Sequence, residues 1–249
     1  MPNIAIFAAL QWECGPILRH LGKARRGKID DSTVWRGRFG DVGITLIKTG
    51  MGLARAEAAA RRLVSQGHFA LFLSSGCAGA LAPQLGPGDL VVAESIGLSG
   101  GAALPAHPEH RERAIAAARR AGLHPHLGHF LSSPTVLATR AEKHGAAQAG
   151  AIAVEMEGAA IARVAAESGV AFAAVRSILD TADIELEMSG HFVDPATGSV
   201  RPIALAGHLL RHPTALPHML SVKRMMDAAD TALARFFAAY LDASGQRLV

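Results

Sequence analysis

Glu155 and Glu157 stand two residues apart in AVEMEGAA, residues 153–160, where the apolar run GAIAV meets the alanine-rich pattern GAAIARVAA. Desolvating a carboxylate is unfavourable unless the site uses the charge. Two more acids hold the same kind of position: Glu13 just after IAIFAALQW, and Asp180 directly after VAFAAVRSIL. Taken singly, each reads equally well as an acid at a helix N-terminus. Taken together, Glu13, Glu157 and Asp180 at the carboxyl ends of apolar strands are expected to line one pocket. There they can serve acid–base chemistry or steady a developing positive charge.

Other chemistry-bearing stretches are weaker. TGMGLARA, 49–56, has the first two glycines of a dinucleotide turn, but Arg55 holds the third place. No acid follows between Glu57 and Asp89 to take a ribose. A glycine turn whose amides approach a small ligand or an anion remains. SSGCAGA, 74–80, resembles a nucleophile elbow around Cys77, yet Ser75 stands where the elbow needs glycine. In HPHLGH, His124 and His126 share a strand face and His129 points away, with no cysteine or carboxylate to complete a metal site. No metal and no cofactor are expected.

The elements that must position the acids follow from periodicity. Strands are expected at 3–9, 33–38, 43–49, 69–76, 89–96, 126–133, 150–156 and 170–179. A turn at Gly40–Asp41 joins the second and third of them as a hairpin. Helices are expected at 13–22, 53–67, 108–122, 139–148 and 158–169, with a last one near 221–242. This alternation predicts an α/β fold, three-layer α/β/α, with a central twisted, mostly parallel mixed sheet. Such sheets bind ligands at the carboxyl ends of their strands. Nothing demands a domain boundary, so residues 1–249 read as a single domain. Residues 184–222 are irregular, carry Pro195, Pro202, Pro213 and Pro217, and read as a lid or extension.

Composition narrows the class. Half of the 249 residues are hydrophobic and 18% are charged, enough for a sizeable core. The net charge of +4 is read as scattered arginines rather than a basic tail, which argues against a nucleic-acid partner. Only Cys14 and Cys77 are present, so a reducing, cytoplasmic setting fits. MPNIAIFAAL lacks the basic start and long apolar core of a signal peptide, and no uncharged apolar run reaches membrane-spanning length.

IAIFAALQWE, KTGMGLARAEAA, SSGCAGALAPQLGPGDLVV, GAIAVEMEGAAIARV and VRSILDTAD together resemble the nucleoside phosphorylase/nucleosidase superfamily, over about residues 3–183. Within it the chain is most similar to 5′-methylthioadenosine/S-adenosylhomocysteine nucleosidases. The resemblance implies a nucleoside phosphorylase-like fold, a homodimer and a purine nucleoside substrate. It makes Glu13 the acid that activates the hydrolytic water and Asp180 the general acid serving the purine N7. Glu157 becomes the ligand of the ribose hydroxyls, Glu155 is expected with it among the substrate-binding residues, and Met156 packs on the ribose. Cys77, Ala78 and Gly79 form the small-residue loop near sugar and base. Leu137 falls where backbone groups grip the base, and Val136 where an aromatic stacks on it. Leu179 replaces the serine or asparagine that precedes the general acid.

Cleaving an N-ribosidic bond builds positive charge on the sugar and negative charge on the leaving base. The expected reaction is hydrolysis of an adenine nucleoside substituted at the 5′ position. Ser74 stands where hexameric phosphorylases of the superfamily place an arginine, and Glu13 would repel phosphate. Phosphorolysis is the alternative, with Arg36, Arg38 or Arg55 as phosphate ligands. The run RPIALAGHLLRHPTALPHMLSVKRM resembles the tail of hopanoid-associated phosphorylases, which act on adenosylhopane. An apolar, basic lid of that kind would suit a lipid-like 5′ group or a membrane surface, against the plainer reading of a packed lid. A nucleoside-binding protein without catalysis is the third reading, motivated by Leu179 and Val136.

Overall fold

A computed structural model describes residues 3–185 and 216–242. Among these the elements run, in chain order, β1 (Asn3–Ala8), α1 (Gln11–Leu18), β2 (Gly22–Ile29), β3 (Ser32–Phe39), β4 (Val42–Lys48), α2 (Leu53–Gln66), β5 (Leu71–Ala80), β6 (Leu90–Leu98) and β7 (Leu104–Pro105). There follow α3 (Pro108–Arg120), β8 (His126–Ser132), α4 (Arg140–Ala147), β9 (Ala151–Glu155), α5 (Gly158–Glu167), β10 (Ala171–Asp180) and α6 (Leu216–Leu241). Most of the region expected as a lid lies outside the described residues.

The apolar runs form strands because both sheet faces are covered. Along β1, Ala5 and Phe7 enter one core cluster with α2 and α5. Ile4, Ile6 and Ala8 enter the opposite cluster with α1, α3 and α6. A strand buried on both faces needs an unbroken apolar run, and each such side chain contributes roughly 1.5–3 kcal/mol by leaving water. The layering is the expected helix–sheet–helix.

The sheet is less regular than a doubly wound blade. Its order is β10-β6-β8-β9-β5-β1-β4-β3-β2, with β10 also paired to β5. Strands β5, β10, β6, β8 and β9 thereby close into a ring, and β1, β4, β3 and β2 extend from it. Strands β1, β4, β5 and β10 run parallel to one another. β9 runs antiparallel to β5, meeting it only at Gly79↔Val154 and Ala80↔Ala153.

Two element expectations are corrected. The helix expected over 13–22 ends at Leu18, and GKARRGKI then forms β2. β2 is exposed along nearly its whole length, so it carries no apolar alternation to read; its pairing with β3 creates it. The strand expected over 69–76 continues to Ala80, through the small residues that the resemblance makes a loop. β10 pairs with β5 along that whole stretch and holds it extended. Among the described residues no helix is long and apolar enough to cross a membrane.

Candidate active site

Glu13 is the third residue of α1. Its Oε2 accepts the amides of Ala9 (3.0 Å) and Leu10 (2.8 Å), closing off the helix start. Its Oε1 accepts the amide of Cys77 at 2.8 Å, tying α1 to β5. That contact requires Gly76: a Cβ there would lie 2.6 Å from Glu13 Oε1, and its φ of +147° belongs to glycine. Burial pushes the Glu13 carboxyl above its usual range, while the three amides and Arg176 pull it down. A carboxylate offers about four acceptor positions, so three amides leave one for a ligand.

Glu157 stands at the N-cap of α5. Its Oε1 accepts the amide of Gly52 at 2.7 Å. The glycine turn at 50–52 does present its backbone to an anion, and that anion is the chain's own carboxylate. Gly52 has φ +99°, a backbone conformation that favours glycine. Burial, and then the charge of Glu155, raise the Glu157 carboxyl to about 8.

Glu13 and Glu157 line one small cavity with Thr49, Ser74, Ser75, Cys77 and Arg176. Glu157 reaches it by a route the sequence does not reveal. β9 does not run alongside β1 and β5; it comes back against β5, so residues after Val154 pass toward Cys77 and Gly76. Burial and the neighbouring Glu13 charge push the Cys77 thiol well up, so it is a neutral wall and not a nucleophile.

Arg176 is the residue that sequence reasoning missed. It is 2% exposed, in the middle of β10. Its Nη2 donates to Ser74 Oγ at 2.8 Å and to Glu155 Oε2 at 2.6 Å. Ser74 is thus not a position without arginine; the guanidinium arrives from the neighbouring strand. The signal was a lone basic residue inside the apolar run VAFAAVRSIL.

Glu155 proves to be a support for the site. Beyond Arg176, its Oε2 accepts the amides of Glu157 (3.1 Å) and Gly158 (2.7 Å), and its Oε1 accepts from Ser132 Oγ. It is not among the residues lining the cavity, and these bonds occupy it.

Asp180 does not line that cavity either. It pairs with Gly79 across the β10–β5 ladder, and both carboxyl oxygens lie 3.4 Å from where a Gly79 Cβ would stand. Gly79 is two residues beyond Cys77, roughly 7 Å along the strand. Asp180 Oδ2 accepts from Lys143 Nζ at 2.5 Å, and the same ammonium donates to the carbonyls of Thr181 and Ile184, each at 2.8 Å. Lys143, on α4, is 1% exposed and was also missed: EKH in a short polar helix reads as surface. Burial raises the Asp180 carboxyl, and Lys143 draws it partly back.

The remaining expected residues surround these. Met156 is half-buried between the two glutamates, and Ala78 is buried beside Cys77. Val136 and Leu137 are half-buried in the segment before α4, with Leu137 packed against the cluster of Leu81, Leu131, Ala151 and Val154. Of the arginines considered for phosphate, Arg36 hydrogen-bonds Gln66 and Arg38 sits 3.9 Å from Asp41; Arg55 caps back onto the Met51 carbonyl at 3.5 Å. None of the three lines the cavity. His129 shares a hydrogen bond with Ser95 through Nδ1.

Comparison with known proteins bears on the family and the fold. The family model described as "Phosphorylase superfamily" matches residues 3–197. A 5′-methylthioadenosine/S-adenosylhomocysteine nucleosidase from Anoxybacillus flavithermus is 26% identical over 208 residues, covering 75% of this chain and 89% of that protein. Among solved structures, an S-adenosylhomocysteine nucleosidase from Streptococcus pyogenes in complex with 5-methylthiotubericidin superposes with a TM-score of 0.76 at 22% identity, covering 98% of each chain. Futalosine hydrolase of Helicobacter pylori gives 0.77 at 20% identity, covering 97% of each.

Proposed function

Since the chain belongs to the phosphorylase superfamily, whose members of this kind are N-ribosyl hydrolases or nucleoside phosphorylases, we propose that it hydrolyses the N-glycosidic bond of a purine nucleoside. The substrate this reading favours is an adenine nucleoside carrying a 5′ substituent. One observation carries it: Glu13 and Glu157 face one small cavity, and Asp180 stands about two strand residues beyond it. In this reading the sugar sits between Glu13 and Glu157. The base then lies along β5 toward Gly79 and Asp180.

Each group has a role consistent with its geometry. The one unused acceptor position of Glu13 orients water toward the anomeric carbon. The Oε2 of Glu157 accepts from the ribose hydroxyls, and such contacts strengthen as the ring flattens toward the oxocarbenium ion. Asp180 donates to the purine as the C–N bond breaks, burial favouring its protonated form. Lys143 supplies the opposite pull, so the carboxylate left after transfer is not an unpaired buried charge.

Water is favoured over phosphate because the guanidinium in the cavity lining, Arg176, is already matched by Glu155 at 2.6 Å. Phosphorolysis stays as the second reading because Arg176 does reach the cavity.

The test is to incubate the protein with methylthioadenosine, adenosylhomocysteine, adenosine and inosine, with and without phosphate, and to separate free base, free sugar and sugar 1-phosphate. Base release independent of phosphate is expected. Sugar 1-phosphate would install the second reading, and no base from any substrate would remove both. Asp180→Asn, which keeps the shape and loses the acid, is expected to lower turnover roughly 10²–10⁴-fold. Unchanged turnover in that variant would rule out Asp180 as the acid.

A further inference from the structure

One stretch of the chain carries a dense run of basic side chains along an edge of the sheet. Residues 22–39 hold six basic residues (Lys23, Arg25, Arg26, Lys28, Arg36, Arg38) and two acids (Asp30, Asp31), a net of +4. The whole chain has 25 basic and 21 acidic residues, so the remainder has 19 of each and is neutral. These eighteen residues are β2, β3 and the turn between them, and all six basic side chains are exposed. β2 is the outermost strand of the sheet, at the opposite end of the order from β10, and contributes nothing to the lining of the cavity.

The local arrangement does not neutralise this charge. The ladder sets Arg25 directly opposite Arg36, a like-charge pairing that destabilises a sheet. Asp30 is taken by Arg62 of α2 at 2.7 Å, outside the ribbon. Among the described residues, Lys23, Arg25 and Lys28 have no ion pair. An edge strand needs some charge to avoid pairing with other sheets. Placing a net charge of +4 on this edge, with two arginines face to face, goes beyond that need.

We propose that the β2–β3 ribbon is a docking surface for anionic phospholipid headgroups. A lipid surface is planar and indifferent to register, and it rewards a row of basic side chains along an edge about 26 Å long, the span of eight strand residues. Nucleic acid fits less well. The ribbon exposes no aromatic side chain for stacking: Trp35 is buried with Arg26 5.9 Å above it, and Phe39 is half-buried. It carries no Asn or Gln to read base edges, and β4 holds its other side, so it is not a free ribbon to enter a groove.

The experiment is co-sedimentation of the full chain with vesicles of phosphatidylcholine alone and with about a third phosphatidylglycerol. Binding to the anionic vesicles only is expected, and it should fade toward 1 M salt, where the screening length is about 3 Å. The triple variant Arg25→Gln, Arg26→Gln, Lys28→Gln should lose on the order of 100-fold in affinity, and each single variant about fivefold. Arg111→Gln, Arg119→Gln, Lys223→Gln removes the same net charge elsewhere and should bind as the parent does. Circular dichroism checks that the variants fold; if the triple does not, the single variants decide. No anionic-vesicle binding at low salt overturns the proposal. So does equal loss in the two triple variants, or binding to a mixed-sequence oligonucleotide with none to vesicles.

Discussion

Replacing Lys143 by methionine keeps most of the side-chain volume and removes the ammonium that Asp180 faces. Lys143 is buried, 1% exposed, with its donors on Asp180 Oδ2 (2.5 Å) and the carbonyls of Thr181 and Ile184 (2.8 Å each). If Asp180 had to stay ionised, losing its partner would cost about 3–5 kcal/mol. Asp180 has an escape, because burial already raises its pKa and removing Lys143 raises it further. A carboxyl whose folded pKa lies above its unfolded value contributes stability below the unfolded pKa, 3.8, and loses it as pH rises through the folded pKa. The variant is therefore expected to be destabilised most at pH 8, by about 3–5 kcal/mol, and less by at least about 1 kcal/mol at pH 5. Urea unfolding of both proteins at the two pH values measures this. If Asp180 is the acid, the alkaline limb of kcat/KM should also move to higher pH in the variant, since its proton is held more tightly. Equal destabilisation at pH 5 and pH 8, together with an unmoved pH–rate profile, would refute the coupling of Lys143 to the protonation of Asp180.

Two further substitutions probe the cavity. Gly76→Ala places a Cβ 2.6 Å from Glu13 Oε1 at a φ of +147°, so it should cost about 1–3 kcal/mol in a melt and lower turnover at least ~100-fold by displacing the carboxylate. Retained turnover would mean that Glu13 is not held by that contact for catalysis. In the parent protein Glu157 titrates near 8 when folded against 4.5 when unfolded, so stability should fall, by at most a few kcal/mol, as pH rises between those values. Glu157→Gln keeps an acceptor for Gly52 and should flatten that slope, while raising KM for ribonucleosides more than for 2′-deoxynucleosides. A slope unchanged by the substitution would place the titration elsewhere.

The parts of this protein legible from its sequence are those where local pattern and burial coincide. NIAIFA, the first residues of FALFLSSG and VAFAAVRSIL read as strands because they are buried on both faces, and LARAEAAARRLVSQ reads as a helix from its amphipathic period. Glu13 and Glu157 stand out because an acid beside such a run has few inexpensive explanations. β2 is illegible for the converse reason: GKARRGKI is exposed, so solvent imposes no alternation on it and only β3 makes it a strand.

By itself, then, the order of residues determined the layered α/β plan and which acids were available, since both follow from how apolar and polar side chains partition between core and water. Which acids meet was decided only in three dimensions. The antiparallel return of β9 carries Glu157 back to Gly76, the closure of β10 onto β5 brings Arg176 to Ser74 and Glu155, and α4 lays Lys143 on Asp180. Those partners are separated by 21 to 102 residues in the chain. No local spacing encodes such pairings; they arise from ring closure, and they set the charge that each buried carboxyl carries.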